Sequence, residues 1–390
     1  MMKIPFLRPS LVRKEKWAYY LTQIDESRIY SNYGPLNNRF ERRVLQQHFG
    51  GQGAVTTVNN ATTGLMLAIS QSRRRGGKYA LMPSFTFPAT PLAAIWCGLI
   101  PYFVDIRPDD WCMDEELLEQ VLKKLGDQVA VVVPYAVFGT DLKLDTYRQL
   151  HRNGIPVVVD AASSFGTTGE KGQFGCGFPG MVVFSFHATK SFGIGEGGLV
   201  YSGNPSLVDE VRQAGNFGFS PDREVTMQGL NSKMSEYVAA IALATLDAFP
   251  KKRSTIERVV QWYKEQFQQH HLFHQGWRYQ ETKGRVTPQF LSVLCPADQS
   301  NQEIVNQLHG RGIEARTYFS PSCHQHRQFQ SCPRTALSVT HHIAGRILSL
   351  PLWEELTVEH IRFIVGGVST NDRRHHLGVR GARERGLSDL

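Results

Sequence analysis

Three stretches of this chain are apolar without alternation: "VAVVVPYAVF" (Val129–Phe138), "IPVVVDA" (Ile155–Ala161) and "MVVFSF" (Met181–Phe186). A strand with one face in water alternates polar and apolar side chains. A strand carrying valine on both faces has to be covered on both. That requirement leaves few folds open and points to a mostly parallel sheet with helices on its two sides. The segments between fit this. "ALMPS" (Ala80–Ser84) and "IPYFVDI" (Ile100–Ile106) read as further strands. "PLAAIWCGL" (Pro91–Leu99), "MDEELLEQVLKKL" (Met113–Leu125) and "LDTYRQLHRNG" (Leu144–Gly154) read as the crossover helices. The expected class is α/β.

The chain has 390 residues, which suggests one large domain and a smaller one. Helical patterns run over Ser235–Phe249 and, beyond Pro250, from Ser254 to about Gln269. They mark the passage from a large domain, residues 1–250, to a small α+β domain, residues 251–370. The small domain has a strand at Pro288–Cys295 and helices at Ser300–Gly312 and Val358–Val365. Residues 371–390 read as a basic, frayed tail.

Composition removes several function classes. An apolar run of about eighteen residues is missing, so a membrane span is not expected. The N-terminal "MMKIPFLRPSLVRKEKW" does not read as a signal peptide. The six cysteines form neither a CxxC pair nor a ligand-like cluster with histidine. A reduced cytoplasmic protein without a metal site is expected. The net charge of +8 lies largely in "DRRHHLGVRGARER" (Asp372–Arg385) and "SRRRGGK" (Ser72–Lys78). Without a nucleic-acid-binding motif, that excess reads as a solvated face or an attraction for a small anionic ligand, and nucleic acid is not expected.

Chemistry collects at the strand ends. Ligands of open α/β sheets sit at the carboxyl ends of strands. One buried strand ends on Asp160, a costly carboxylate unless a cation meets it. Another ends on Ser185, and "FSFHATKSFGIGEGG" then carries Lys190 into a cluster of glycines. A lysine in a dry cleft has its pKa lowered from about 10.4 and becomes a nucleophile for carbonyls. "NNATTGLMLAIS" places Ala61 and Thr62 at a helix start, whose free N–H groups suit phosphate. Alone, each feature is common: a surface turn, a helix cap, a small-residue helix start. Together they describe a site for pyridoxal 5′-phosphate (PLP), with Asp160 on the ring nitrogen and Lys190 forming the Schiff base.

With these segments the chain resembles the PLP-dependent nucleotide-sugar aminotransferases of the DegT/StrS family, of the aspartate-aminotransferase-like fold. The likeness runs from "SNYGPLNNRFE" (Ser31–Glu41) to "LSLPL" (Leu348–Leu352). "FSFHATK…GEGG" matches the family's lysine motif, and "NNATTGL" its phosphate cup. The resemblance implies fold type I, with a mostly parallel central sheet and a smaller C-terminal α+β domain. It implies that Phe87 of "PSFTFPAT" stacks on the cofactor ring and that Ser185 helps to hold the phosphate. Asn231 of "GLNSKMSEYVAA" would reach the phosphate of a neighbouring subunit, which makes a homodimer with shared sites. Tyr33, and Tyr318 and His324 of "GIEARTYFSPSCH", are implied as substrate residues. The implied reaction moves an amino group from L-glutamate to a nucleotide-linked keto sugar, as in surface-polysaccharide or secondary-metabolite sugar biosynthesis.

Two departures stand out. Ser163 occupies the place where the family usually has glutamine, a shorter side chain beside the cofactor's 3′-oxygen. Val137–Phe138–Gly139 replaces a Leu-Tyr-Gly segment, with loss of a hydroxyl. Relatives with histidine in place of the lysine are sugar dehydratases; Lys190 favours amino transfer. His187 and Glu196 read as structural residues of the lysine turn rather than catalytic ones. Alternatives are a cyclitol aminotransferase or dehydratase of the same fold and, more distantly, a non-enzymatic basic regulator.

Overall fold

The computed structural model describes residues 3–169, 172–282 and 284–369. The expected basic tail lies outside them. The valine runs are buried at every paired position: Val129–Val132, Val158–Asp160 and Met181–Ser185. Ile100–Val104, Tyr79–Pro83 and Val129–Val132 form one parallel group in that order. Val158–Asp160, Met181–Ser185, Gly198–Ser202 and Ala54–Val58 form another, in which Gly198–Ser202 is antiparallel to both neighbours. Parallel bridges Val132↔Val157 and Tyr135↔Asp160 join the two groups. The Ala136 N–H donates to the Asp160 carbonyl at 2.9 Å. The outcome is a mostly parallel sheet whose carboxyl ends share one edge, where Ser185 pairs with Gly198 and Asp160 with Val183.

The strand expected through Phe138 loses regular pairing after Val132. Pro134 has no N–H for the ladder, and Phe138 adopts φ 53° in the short turn Val137–Gly139. The second half of that apolar run is therefore a loop across the sheet's carboxyl edge, with Tyr135 and Phe138 buried in it.

Helix Ala61–Ser72 lies close on the sheet. A Cβ on Gly64 would come within 3.0 Å of Val183 and 3.1 Å of Val58. One hydrophobic cluster includes Phe40, Phe184, Leu199, Ala240 and Phe249, and another Leu65, Ile69, Met82, Val131 and Val183. A third includes Ile256, Val259, Trp277, Val293, Leu308, Leu350 and Ile364. Ile4, from the other end of the sequence, packs into this third cluster, and its N–H donates to the Gly312 carbonyl at 2.9 Å.

The sequence predicts two helices parted at Pro250; the structure has one, Glu236–Gln269, with Pro250 inside. An interior proline costs about 3 kcal/mol. Leu243, Leu246 and Phe249 on one side of it and Ile256, Val259 and Tyr263 on the other are buried, and that packing outweighs the local cost. The small antiparallel sheet Arg278–Tyr279, Leu291–Leu294 and Ile347–Leu350 completes the C-terminal part, with helices Asn301–Gly310 and Val358–Val368.

Among the described residues, no helix is long and apolar enough to cross a membrane. Nor does any group of three or more His, Cys, Asp or Glu among them suit a metal ion. All six cysteines are free thiols.

Candidate active site

Asp160 ends its strand 2% exposed. Its Oδ2 accepts from the Thr90 hydroxyl at 2.6 Å, and its Oδ1 from the Ala162 N–H at 3.1 Å. Both donors are neutral. Burial raises the carboxyl's pKa above the ordinary value, while these two donors and the Lys190 charge pull it down. Asp160 is thus an ionisable group that still calls for a cation.

Lys190 sits in a loop whose limbs bond to each other. Phe186 N–H donates to the Gly197 carbonyl at 2.9 Å and Ala188 N–H to the Gly195 carbonyl at 2.7 Å. Glycine is required here. A Cβ on Gly193 would lie 2.5 Å from the Ala188 carbonyl oxygen, and Gly195 has φ +103°. The Lys190 Nζ donates to Ser163 Oγ at 3.1 Å. Burial lowers its pKa to about 8, with Asp160 opposing. A larger fraction of neutral amine than for an ordinary lysine is therefore present near neutral pH.

Helix Ala61–Ser72 begins at the same edge. The Asn60 side chain caps it by accepting from Thr63 N–H at 2.9 Å. The first in-helix bond is Gly64 N–H to the Asn60 carbonyl, so the Ala61 and Thr62 N–H groups precede it and point out of the helix end. Gly198 keeps this end open, since a Cβ there would sit 3.0 Å from the Ala61 nitrogen. Ser185 is buried beside it, and its Oγ accepts from His187 N–H at 3.3 Å. Segment 229–235 is tied to the same place, because Asn59 N–H donates to the Ser232 carbonyl at 2.7 Å and Ser232 Oγ to Asn59 Oδ1 at 3.1 Å. Its neighbour Asn231 is exposed. Phe87 is 57% exposed, an uncovered ring at the cleft that touches Phe319 at 6.4 Å between centroids.

The sequence profile of the DegT/DnrJ/EryC1/StrS aminotransferase family matches residues 12–369. The chain belongs to this family. It is 32% identical over 380 residues to Protein Rv3402c of Mycobacterium tuberculosis, covering 95% of this chain and 91% of that one. It superposes with TM-score 0.93 and 50% identity on a structure from Bacillus cereus ATCC 10987 described as a PLP-dependent aminotransferase, over 94% of this chain and all of that one (100%). DesI, solved in the presence of its TDP-sugar product, matches with TM-score 0.85 and 29% identity over 97% and 96% of the two chains. The fold is that of the fold type I PLP enzymes, the chain is a PLP-dependent aminotransferase, and its cofactor is PLP. The donor set suits that group: a buried carboxylate wanting a cation, a lysine inclined to neutrality, and a helix end with two unspent N–H groups.

Not every residue predicted for the aminotransferase's site gathers there. His324 is buried, with Nδ1 2.7 Å from Ser84 Oγ and Nε2 3.2 Å from His341 Nε2. Both ring nitrogens are engaged, so His324 offers no free nitrogen to a substrate and instead ties its turn to the end of strand Tyr79–Pro83. Burial lowers its pKa to about 4, with His341 and Arg334 adding to this. Tyr33 lies over the Arg212 guanidinium, 3.7 Å from ring centroid to Cζ, and its hydroxyl donates to the Arg212 carbonyl at 3.2 Å. Its donor is already used. Tyr318 packs between Phe6 and Phe290. His187 has Nδ1 2.8 Å from Thr189 Oγ1 and Nε2 3.6 Å from Glu196, in keeping with a structural part in the turn.

Sequence inspection missed Thr90, whose hydroxyl donates to the Asp160 carboxyl. Thr86 and Thr90 are four residues apart with hydroxyls 2.9 Å from each other, a spacing that hints at one helical face.

Proposed function

We propose that this aminotransferase moves an amino group from L-glutamate to a keto-deoxysugar carried on a nucleoside diphosphate. The observation that carries the reading is the meeting of Asp160, Lys190 and the Ala61 helix end on one sheet edge, in a family whose structural relative DesI was solved with a TDP-sugar product. PLP, when bound, supplies an aldehyde carbon that exchanges amines and a ring that withdraws electrons. Lys190 would be the residue that holds that carbon, and its Nζ, when free and neutral, could take a proton from the donor's α-carbon and return one. Asp160 would face the ring nitrogen and favour a proton there. Phe87 would cover the ring. The Ala61 and Thr62 N–H groups, Ser185 and Asn231 from a second subunit would hold the phosphate, with Ser163 toward the 3′-oxygen. The enzyme then works as a cytoplasmic homodimer in sugar biosynthesis for a surface polysaccharide or secondary metabolite. The test is a panel of nucleotide keto sugars incubated with the PLP-loaded protein and L-glutamate. One or more should yield amino sugar with equimolar 2-oxoglutarate; absence of 2-oxoglutarate throughout counts against the donor.

Asn231→Ala is expected to weaken PLP retention, and the defect is expected to be rescued across subunits. A hydrogen bond to a charged phosphate is worth roughly 1.5–3 kcal/mol, about tenfold or more in the dissociation constant. Mixed dimers of Asn231→Ala and Lys190→Ala chains contain one site with both groups intact. That site should bind PLP as tightly as wild type. Mixed dimers no better than the Asn231→Ala homodimer, or a monomeric protein, contradict the shared site.

The lowered Lys190 pKa gives a pH signature. Only the neutral amine attacks an aldehyde, so PLP uptake by the apoprotein should speed up as pH rises through the folded pKa, about 8, and level off above it. Stopped-flow absorbance between pH 7 and 10 measures this. A rate still climbing at pH 10 would mean an ordinary lysine.

A further inference from the structure

The carboxyl edge of the sheet holds the candidate active site. The opposite edge carries the basic turn "SRRRGGK" (Ser72–Lys78), which the proposed reaction does not use. Helices Ala61–Ser72, Ala89–Trp96, Glu115–Leu125 and Asp145–Arg152 all end there. The turns that follow them are bonded to one another. Ile100 N–H donates to the Lys78 carbonyl at 2.9 Å, and Lys78 N–H to the Gln128 carbonyl at 2.7 Å. Arg74 N–H donates to the Ala130 carbonyl at 2.9 Å and Arg74 Nε to the Gly154 carbonyl at 3.0 Å. The Arg73 guanidinium donates to the Cys97 carbonyl. These turns therefore make one continuous surface.

Segments 73–78, 96–100, 119–128 and 149–154 hold seven Lys and Arg against two acids, Glu119 and Asp127. Both acids are already matched, Glu119 with Lys123 at 2.8 Å and Asp127 with Arg74 at 3.2 Å. Among the described residues no acid pairs with Arg73, Arg75, Lys78, Lys124 or Arg152. Cations near helix C-termini are ordinary, because they meet the negative end of the helix dipole. That explains Lys124 and Arg152, in the last turns of their helices. It does not explain Arg75 and Lys78, exposed in a turn. Nor does it explain the apolar groups beside them: Trp96 is 71% exposed, and Ile100, bonded through its N–H to Lys78, is 45% exposed.

Exposed apolar side chains among unmatched cations suit a partner that is anionic at its surface and apolar beneath. We propose that this edge docks the enzyme on an anionic lipid bilayer, with Trp96 and Ile100 entering the headgroup region and Arg73, Arg75, Lys78, Lys124 and Arg152 facing lipid phosphates. Tryptophan favours the boundary between headgroups and acyl chains, and each Lys or Arg near an anionic surface adds to the attraction. A second copy is a poor occupant, since a two-fold contact would set this basic patch against itself. Residues 371–390 are basic too and are repelled for the same reason. A nucleic acid would match the cations and leave Ile100 uncovered. Docked this way, the enzyme keeps the edge with Lys190 and Asp160 turned to water.

The test is sedimentation of the PLP-loaded full chain with vesicles of phosphatidylcholine containing phosphatidylglycerol, and with vesicles of phosphatidylcholine alone. Only the anionic vesicles should carry the protein down, and raising salt from about 0.1 M to about 0.5 M should release it. Arg75→Glu combined with Lys78→Glu should weaken binding at least about tenfold. Trp96→Ala should weaken it about threefold to tenfold. Tryptophan emission should shift to the blue on the vesicles, and Trp96→Phe should abolish that shift. All these variants should keep wild-type activity, which shows that they fold. Three results overturn the proposal: equal binding to neutral vesicles, binding of duplex DNA without vesicles, or undiminished vesicle binding by the Arg75→Glu, Lys78→Glu protein, which would place the attraction in residues 371–390.

Discussion

Lys190→Ala is expected to leave a folded protein with no measurable amino transfer and no cofactor that borohydride can fix to the chain. Two functions end with one amine. The covalent hold on PLP goes, and so does the base that moves the α-proton, a role commonly worth about 10²–10⁴-fold by itself. The fold should survive, because Lys190 sits in a loop closed by backbone bonds between Phe186 and Gly197 and between Ala188 and Gly195. Activity of the purified variant and its mass after borohydride treatment check this. Retained turnover at a wild-type rate would move the chemistry elsewhere.

Asp160→Asn should cost on the order of 10²–10³-fold in rate, since an amide cannot hold a proton on the ring nitrogen electrostatically. Its effect on stability should change sign with the cofactor. Burial raises the Asp160 pKa in the folded apoprotein. The folded state then binds more protons than the unfolded chain between the ordinary value and the raised one, and stability falls as pH rises through that window. Above the ordinary carboxylate range the cost of burying this group thus weighs on the apoprotein, and the uncharged amide of the variant relieves it. Apo Asp160→Asn should melt at or above apo wild type, while PLP should stabilise the variant less than it stabilises wild type. Thermal melts with and without PLP measure both. A variant that melts lower in the apo form and gains as much from PLP would contradict the assignment.

The covered strands were legible because burial on both faces leaves an unbroken valine signature, and the sheet's carboxyl edge then follows from connectivity. Asp160, Ser185 and Lys190 were legible only in combination: each alone reads as a cap or a turn, and the buried runs that precede them bring them to one edge. What escaped depended on distant partners. Pro250 looked like a helix boundary because its cost is local, whereas the packing of Phe249 and Ile256 that outweighs it is not. Tyr135 looked like strand filler because nothing nearby in sequence shows that Asp160 comes to pair with it. His324 suggested a substrate contact, yet Ser84 and His341, far apart in the chain, occupy both its nitrogens.

The most direct measurement is peptide mapping of the borohydride-reduced protein, taken before and after L-glutamate is added to the PLP-loaded enzyme. The account predicts a pyridoxyl group on Lys190 before glutamate, and its disappearance afterwards with an equivalent of 2-oxoglutarate released. A pyridoxyl group on a different lysine, or one that stays on Lys190 in the presence of glutamate, would contradict it.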